Sequence, residues 1–207
     1  MSHIKLFFIS FFSFMSFFVS ADQLSDNDVI NANYKVFSSG FENLDLDSID
    51  TIYADDAVYI SETLDKEIVT GKDDILALYS VFFKKIAKKS AHIDVDFRII
   101  NRKLTEKTAT DVGYYLVRFH PRKETGEPTS VFSGKFVLVS RKVGKQQWQF
   151  IVDSNTKANP DFYFTAKPVS NLYYGRQFNP KLNQLNESVN SVEVEIDVHN
   201  ETDSHNH

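Results

Sequence analysis

Two ionisable side chains lie inside runs that are otherwise apolar. Asp153 follows Trp148-Gln-Phe-Ile-Val, and Arg118 lies between Tyr114 and Phe119. A carboxylate in an apolar setting can act as a general base, and an arginine there can hold a ligand carboxylate with two hydrogen bonds. The alternatives for Arg118 are an ion pair with an internal acid such as Asp153, or exposure on the outer sheet face, because buried arginines are normally paired.

Two histidines lie at predicted strand ends and three lie at the carboxyl end. His92 and His120 have no second histidine or acid at ligand spacing along the chain, and we expect both to be solvated. The last nine residues combine three histidines with two acids. They could chelate a divalent metal weakly, although a disordered tail is the simpler interpretation. The sequence predicts no cofactor and no metal centre, with weak candidate ligands at His199, His205 and His207.

The composition excludes several kinds of chemistry. The chain has no cysteine, so disulfides, zinc-thiolate sites and thiol catalysis are absent. It also has no Gly-rich phosphate loop, nucleophile elbow or His-Glu-x-x-His motif. A net charge of −5 gives no electrostatic reason to bind a phosphate backbone, so nucleic acid is not an expected partner.

The amino end has the pattern of a secretory signal peptide. Lys5 precedes a largely apolar run over residues 6–19 that ends in small residues. This run is shorter than the ~20 residues that a membrane-spanning helix needs. We expect residues 1–21 to be cleaved after Ala21, which makes the protein periplasmic or secreted, with no membrane contact afterwards. An uncleaved membrane anchor is the alternative.

The rest of the chain predicts helices first and strands afterwards. Apolar residues at helical spacing predict three helices, at about residues 25–40, from Asp47 to Tyr53 and from Thr70 to Lys89. A strand is expected to begin at Val58, after a turn at Asp55-Asp56. Beyond Ser90 the apolar period becomes two, which predicts strands at residues 93–100, 108–120, 130–141 and 147–154. This order is typical of an α+β domain, here residues 22–158, with three N-terminal helices on one face of a curved antiparallel sheet.

A C-terminal extension covers residues 159–207. Its first part is aromatic and Asn-rich, and its second part is acidic. Within the acidic part, residues 191–198 alternate strictly between apolar and polar residues, which fits one strand at a sheet edge. A partly ordered acidic tail ending in a disordered His-containing segment fits equally well, because a single strand has no stability of its own.

Four motifs in order resemble the nuclear transport factor 2-like superfamily, which includes ketosteroid isomerases, SnoaL-like cyclases and the association domain of calcium/calmodulin-dependent kinase II. They are Gly40-Phe-Glu-Asn-Leu-Asp-Leu-Asp-Ser-Ile49, Tyr53-Ala-Asp-Asp-Ala57, Thr70-Gly-Lys-Asp-Asp-Ile75 and Trp148-Gln-Phe-Ile-Val-Asp153. The resemblance covers about residues 25–158 and implies a cone-shaped sheet around a pocket. Fold alone does not imply an activity.

The catalytic positions of the isomerases are occupied here by residues that cannot do the same chemistry. The resemblance places the general base on Ser61, the tyrosine donor on Phe37, and the protonated acid on Phe136 or Leu138. A serine without an activating partner does not take a proton from carbon near neutral pH. The resemblance also places a pocket tyrosine on Tyr79.

The association domain resembles this chain less closely in its pocket. Its strand arginine corresponds to Arg118, but its other pocket arginines fall on Ile75 and Asn155. The strongly basic anion pocket of that branch is therefore not reproduced.

Three hypotheses for the function follow. The favoured one is a non-catalytic module whose pocket holds a small, largely apolar ligand, with or without a carboxylate. The second is a cyclase- or isomerase-like enzyme with Asp153 as base and Arg118 or a tyrosine as electrophile. The third is an architectural homodimer or larger ring formed through the outer sheet face. The predicted pocket residues are Tyr34, Phe37, Tyr79, Tyr114, Arg118, Asp153 and Asn155.

Overall fold

Four α-helices and six β-strands form the part of the chain that the computed structural model describes, residues 24–63 and 65–176. The helices are α1 (Asp26–Asn43), α2 (Leu46–Ile52), α3 (Lys72–Lys88) and α4 (Pro160–Thr165). The strands are β1 (Tyr53–Ile60), β2 (Val69–Thr70), β3 (His92–Leu104), β4 (Thr108–His120), β5 (Ser130–Gly144) and β6 (Gln147–Lys157). A short 3₁₀ helix, Lys123–Thr125, lies between β4 and β5.

The strands form one open sheet in the order β2-β1-β6-β5-β4-β3. The long strands β3 to β6 pair antiparallel in chain order, as the hairpin-like spacing predicts. β1 pairs parallel with β6. The α+β class is confirmed, and the sheet is mixed because one short strand from the helical half joins it at β6.

Local signals explain where the first helices begin and end. Ser25 and Asp28 form a capping box at the start of α1. Asp45, and not the predicted Asp47, caps α2 by accepting a hydrogen bond from the backbone N–H of Ser48. The predicted end of α1 at Gly40 is also too early. Gly40 lies inside the helix, where a Cβ would come within 2.7 Å of the Ile49 side chain, so this glycine permits close helix packing.

The strand β1 also begins earlier than predicted. It starts at Tyr53, and Asp55 and Asp56 lie within it, where we expected a turn. Asp56 forms an ion pair with Arg141 on β5, and Asp55 forms one with Lys72 on α3. These two acids therefore join β1 to β5, across β6, and to α3.

The first three helices pack on one face of the sheet and form the core. Each supplies buried apolar side chains that meet the inward-facing residues of β3, β5 and β6. Trp148, 2% exposed, closes this core at the start of β6, where its indole N–H donates to Asp26. Three helices over one curved sheet face leave room for a cavity between them.

The beginning of the C-terminal extension lies on the opposite face of the sheet. Phe162 of α4 stacks on Tyr114 of β4. Further on, the backbone N–H of Gly175 donates to the carbonyl of Phe97, and Tyr174 forms a bridge with Arg98 at the free edge of β3. We call residues 160–176 the outer strap.

Several sequence predictions lie outside the described residues. These are the signal peptide at residues 1–21, the strand at residues 191–198 and the carboxyl-terminal histidines. They stay predictions. Within the described part of the chain, no helix has the length and apolar character needed to cross a membrane.

Candidate ligand-binding cavity

A cavity of about 870 Å³ lies between the inner face of the sheet and helices α1 and α3. Its lining is predominantly aromatic and aliphatic. The aromatic lining residues are Tyr34, Phe37, Phe41, Tyr59, Tyr79, Phe82, Phe97, Tyr115 and Phe150. A volume of several hundred cubic ångströms with apolar walls and few polar groups is typical of small-molecule sites.

Asp153 on β6 is the buried carboxylate of this cavity. One oxygen accepts a hydrogen bond from the Tyr53 hydroxyl at 2.7 Å, and the other accepts one from the Asn155 amide at 2.9 Å. The Tyr79 hydroxyl lies 3.1 Å from that of Tyr53. Burial raises the pKa of Asp153, and the two hydrogen bonds only partly oppose this shift.

The tyrosines around Asp153 remain protonated near neutral pH. Burial, followed by the nearby Asp153 charge, raises the pKa of Tyr53 and Tyr79 well above the ordinary value. The same two causes raise the pKa of Tyr59 to about 12. The interior of the cavity therefore offers hydroxyl groups and one carboxyl to a ligand, and no phenolate.

The mouth of the cavity is formed by the segment between β1 and β2. It contributes the acids Glu62, Asp65 and Glu67 and one cation, Lys66. Glu62 accepts a hydrogen bond of 2.7 Å from the Tyr115 hydroxyl, which ties this segment to β4. The entrance is therefore more acidic than basic.

Five of the seven residues predicted for the pocket line this cavity. They are Tyr34, Phe37, Tyr79, Asp153 and Asn155. The Tyr34 hydroxyl donates to buried Asp111 at 2.8 Å, and Arg102 binds both oxygens of that carboxylate. Tyr34 thus presents its ring to the cavity while its hydroxyl has a structural role.

Tyr114 and Arg118 require a correction. In β4 the cavity is lined by Tyr115 and Val117, and alternation along a strand turns Tyr114 and Arg118 to the outer face. The sequence assigned the wrong face because both faces of β4 carry aromatic and aliphatic residues. The outer strap covers the second face, so neither face is purely polar.

The positions related to the isomerase site also have defined places. Ser61 lies at the mouth, Phe37 and Leu138 line the cavity, and Phe136 is buried beside it. Sequence reasoning missed Tyr59, which lies near the end of β1, two residues before Ser61. The signal that could have identified Tyr59 was its spacing of two residues from Ser61, which the resemblance already placed in the pocket.

Comparisons with known proteins identify the fold and nothing finer. The sequence matches no protein-family model, and no curated protein matches it. A conserved protein from Planctomyces limnophilus superposes with a TM-score of 0.54 at 17% identity, over 64% of this chain and 96% of that one.

Two further solved structures agree with this result. A nuclear transport factor 2-like protein with a cystatin-like fold from Novosphingobium aromaticivorans gives a TM-score of 0.53 at 12% identity, over 65% of this chain and 82% of that one. A ketosteroid isomerase-like protein from Erwinia carotovora atroseptica gives a TM-score of 0.51 at 18% identity, over 66% of this chain and 98% of that one.

Proposed function

Because this chain has the nuclear transport factor 2-like fold, we propose that it is a non-catalytic module that binds a small, largely apolar molecule beneath the curved sheet. The observation that carries the proposal is the cavity of about 870 Å³ with nine aromatic side chains in its lining. Burying apolar ligand surface there contributes roughly 25 cal/mol per Å². The hydroxyl and carboxyl groups at Asp153 then orient the ligand.

The polar groups of the cavity favour a ligand with a hydrogen-bond donor. Asp153 accepts from two neutral donors, and the other charged lining residues are three acids and Lys66. A ligand carboxylate near Asp153 would be repelled, whereas a hydroxyl or a protonated amine could donate to it. The carboxylate-bearing ligand expected from Arg118 is less suited to this lining, since Arg118 is not part of it.

An acid–base enzyme is the second candidate. The observation that favours it is the raised pKa of the Asp153 carboxyl beside the hydroxyls of Tyr53 and Tyr79. In such a site Asp153 would accept a proton and a tyrosine would donate to the developing oxyanion. We prefer the binding role because the positions that correspond to the isomerase base and tyrosine donor hold Ser61 and Phe37, which cannot do that chemistry.

Assembly through the outer sheet face is a weaker proposal. Phe162 of the strap stacks on Tyr114 at 5.9 Å between ring centroids. This part of the face is already covered by the chain itself, so a homodimer or ring would have to use the remainder of the sheet.

The binding proposal is tested by placing a bulky side chain in the α3 wall of the cavity. Leu78 of α3 lines the cavity and is 42% exposed, while Val81 on the same helix is 54% exposed and is not part of the lining. Leu78→Trp should abolish binding of an apolar fluorescent probe and of any molecule seen by native mass spectrometry. Val81→Trp should leave both unchanged. Equal binding of the probe by the two variants would rule out the cavity as the binding site.

A second measurement separates binding from catalysis. Asp153→Asn keeps the shape of the residue but removes its capacity to act as a base. If the copurified or screened ligand is chemically altered by the wild type and only bound by this variant, the enzyme candidate replaces the binding module. Unaltered ligand with both proteins supports the module.

Export is also a proposal, supported by the pattern of residues 1–21. Amino-terminal sequencing of the protein from its native host should find Asp22 first. An intact amino end on membrane-associated protein would favour the uncleaved anchor.

A further inference from the structure

Four side chains with metal-ligating atoms come together at the free edge of the sheet. His92 opens β3, His120 ends β4, and the antiparallel register pairs these two residues directly. Asp94 lies two residues further along β3, and Glu42 comes from the last turn of α1. This arrangement overturns the expectation that both histidines stand alone, since a hairpin brings together residues that are 28 positions apart in the sequence.

The ligand atoms lie close to one another. One ligand atom each of Glu42, His92 and Asp94 lies within 4.8 Å of the other two. In a tetrahedral zinc site, bonds of about 2.0–2.2 Å place ligand atoms roughly 3.3 Å apart. His92 and Glu42 have side chains that are 50% and 37% exposed. Binding a metal ion would require these two surface side chains to rotate toward Asp94.

One oxygen of Asp94 lies beside His92 and the other lies beside His120. His120 Nε2 lies 2.8 Å from Asp94 Oδ2, and His92 Nε2 lies 3.1 Å from Asp94 Oδ1. On its other side, His120 Nδ1 lies 3.2 Å from the Thr129 hydroxyl. If His120 donates from Nε2 to Asp94 and accepts from Thr129, Oδ2 is occupied and Oδ1 is directed to the metal. Such outer partners orient the direct ligands of metal sites.

We propose that Glu42, His92 and Asp94 bind a divalent transition-metal ion, with Zn²⁺ as the best fit, and that His120 is a positioning residue for Asp94. One imidazole with two carboxylates is a donor set that borderline ions of this kind accept. The cluster is separate from the cavity, since none of the four residues is among those that line it.

The Arg176 guanidinium competes with a metal ion for the carboxylates of Glu42 and Asp94. Its Nη1 lies 3.3 Å from Glu42 and 3.7 Å from Asp94, so the guanidinium shares both carboxylates that the metal would use. A metal ion therefore has to displace part of this ion pairing. Arg176 belongs to the outer strap, and metal binding would change how the strap is held at the edge of β3.

The test is a calorimetric titration of Zn²⁺ into the full chain with His199, His205 and His207 replaced by Asn, which removes the tail as a source of signal. One Zn²⁺ should bind per chain. His92→Ala and Glu42→Gln should each weaken binding at least about tenfold. Circular dichroism of each variant would verify folding. No binding to the tail-substituted chain, or binding that survives both variants, would overturn the proposal.

Two further comparisons distinguish the assigned roles. His120→Gln retains a donor for Asp94 and should bind nearly as well as the parent chain, whereas His120→Ala should bind several-fold more weakly. Arg176→Gln removes the competing charge and should strengthen Zn²⁺ binding several-fold. Arg141→Gln, which breaks the exposed pair with Asp56 elsewhere on the sheet, is its matched control and should have no effect. Equal affinities for Arg176→Gln and Arg141→Gln would contradict the location of the ion.

Discussion

Buried polar groups have different surroundings on the two faces of the sheet. On the outer face, Asp96 and Arg98 are 0% and 3% exposed and are enclosed by the outer strap. Asp96 accepts hydrogen bonds from the backbone N–H groups of Phe97 and Arg176 and from the Tyr173 hydroxyl. Arg98 donates to the carbonyls of Tyr163 and Phe164. On this face, the Asp96 carboxylate has three donors of the same chain, and Arg98 is partly matched, since its Nε has no hydrogen-bond partner among the described residues.

The inner face differs because its polar groups border an open volume. The cavity at that face contains the Asp153 carboxyl, which has only neutral partners in Tyr53 and Asn155. A buried charge that is fully satisfied by the chain stabilises one structure, while a partly satisfied carboxyl beside a cavity is available to a ligand. The comparison therefore assigns a structural role to the outer charges and a binding role to the inner carboxyl.

The strongest way to break this comparison is Asp96→Ala. Removing the carboxylate leaves the Tyr173 hydroxyl and the Arg176 backbone without their acceptor, and we expect a loss of about 3 kcal/mol in the free energy of unfolding. Urea denaturation measures this loss. Glu124→Ala, whose side chain is 72% exposed, is the control and should change stability little. A similarly small effect of Asp96→Ala would mean that the strap does not depend on this acid.

A smaller effect is expected for Tyr34→Phe on the inner face. The variant keeps the ring that lines the cavity but loses the hydrogen bond to Asp111, which costs about 1–2 kcal/mol. Tyr79→Phe loses only the contact with the Tyr53 hydroxyl and should cost less. Thermal unfolding of both variants tests the assignment, and the reverse order would show that the Tyr79 hydroxyl, not that of Tyr34, supports the fold.

The pH dependence of stability sharpens the contrast at Asp153. Burial raises the folded-state pKa of this carboxyl above its ordinary value of 3.8. The folded state then binds the proton more tightly than the unfolded state, so this contribution to stability is complete below about pH 3.8 and is lost as the pH rises through the folded-state pKa. Asp153→Asn should therefore gain stability relative to the wild type as the pH rises. Parallel profiles in urea denaturation would contradict the raised pKa.

The smallest effect is expected at the cavity mouth. Tyr115→Phe removes the hydrogen bond to Glu62, a partly exposed contact worth roughly 0.5–1 kcal/mol. Global stability should hardly change, while amide hydrogen exchange at Glu62 and Thr63 should become faster. Unchanged exchange there would show that the segment is held by its other contacts.

Much of the fold is predictable from the sequence because its periodic signals are strong. The apolar stripe of α3 and the period-two runs of β3 to β6 identify these elements, and their order predicts an α+β domain. The helix boundaries are less accurate, since Gly40 has the appearance of a terminator but serves close packing against Ile49. The parallel pairing of β1 with β6 is a contact between the two ends of the domain, for which neither strand carries a local signal.

By itself, the sequence determined which side chains stand at the positions that correspond to the isomerase site, since Phe37 and Ser61 lack the required groups whatever their environment. Only the tertiary structure decided which face of β4 meets the cavity, because both faces are apolar and a shift of one residue exchanges them. Only the tertiary structure placed His92 beside His120 and Asp153 beside Tyr53. The register of a hairpin and the order of strands in a sheet determine these distances, and the number of residues between the two positions does not.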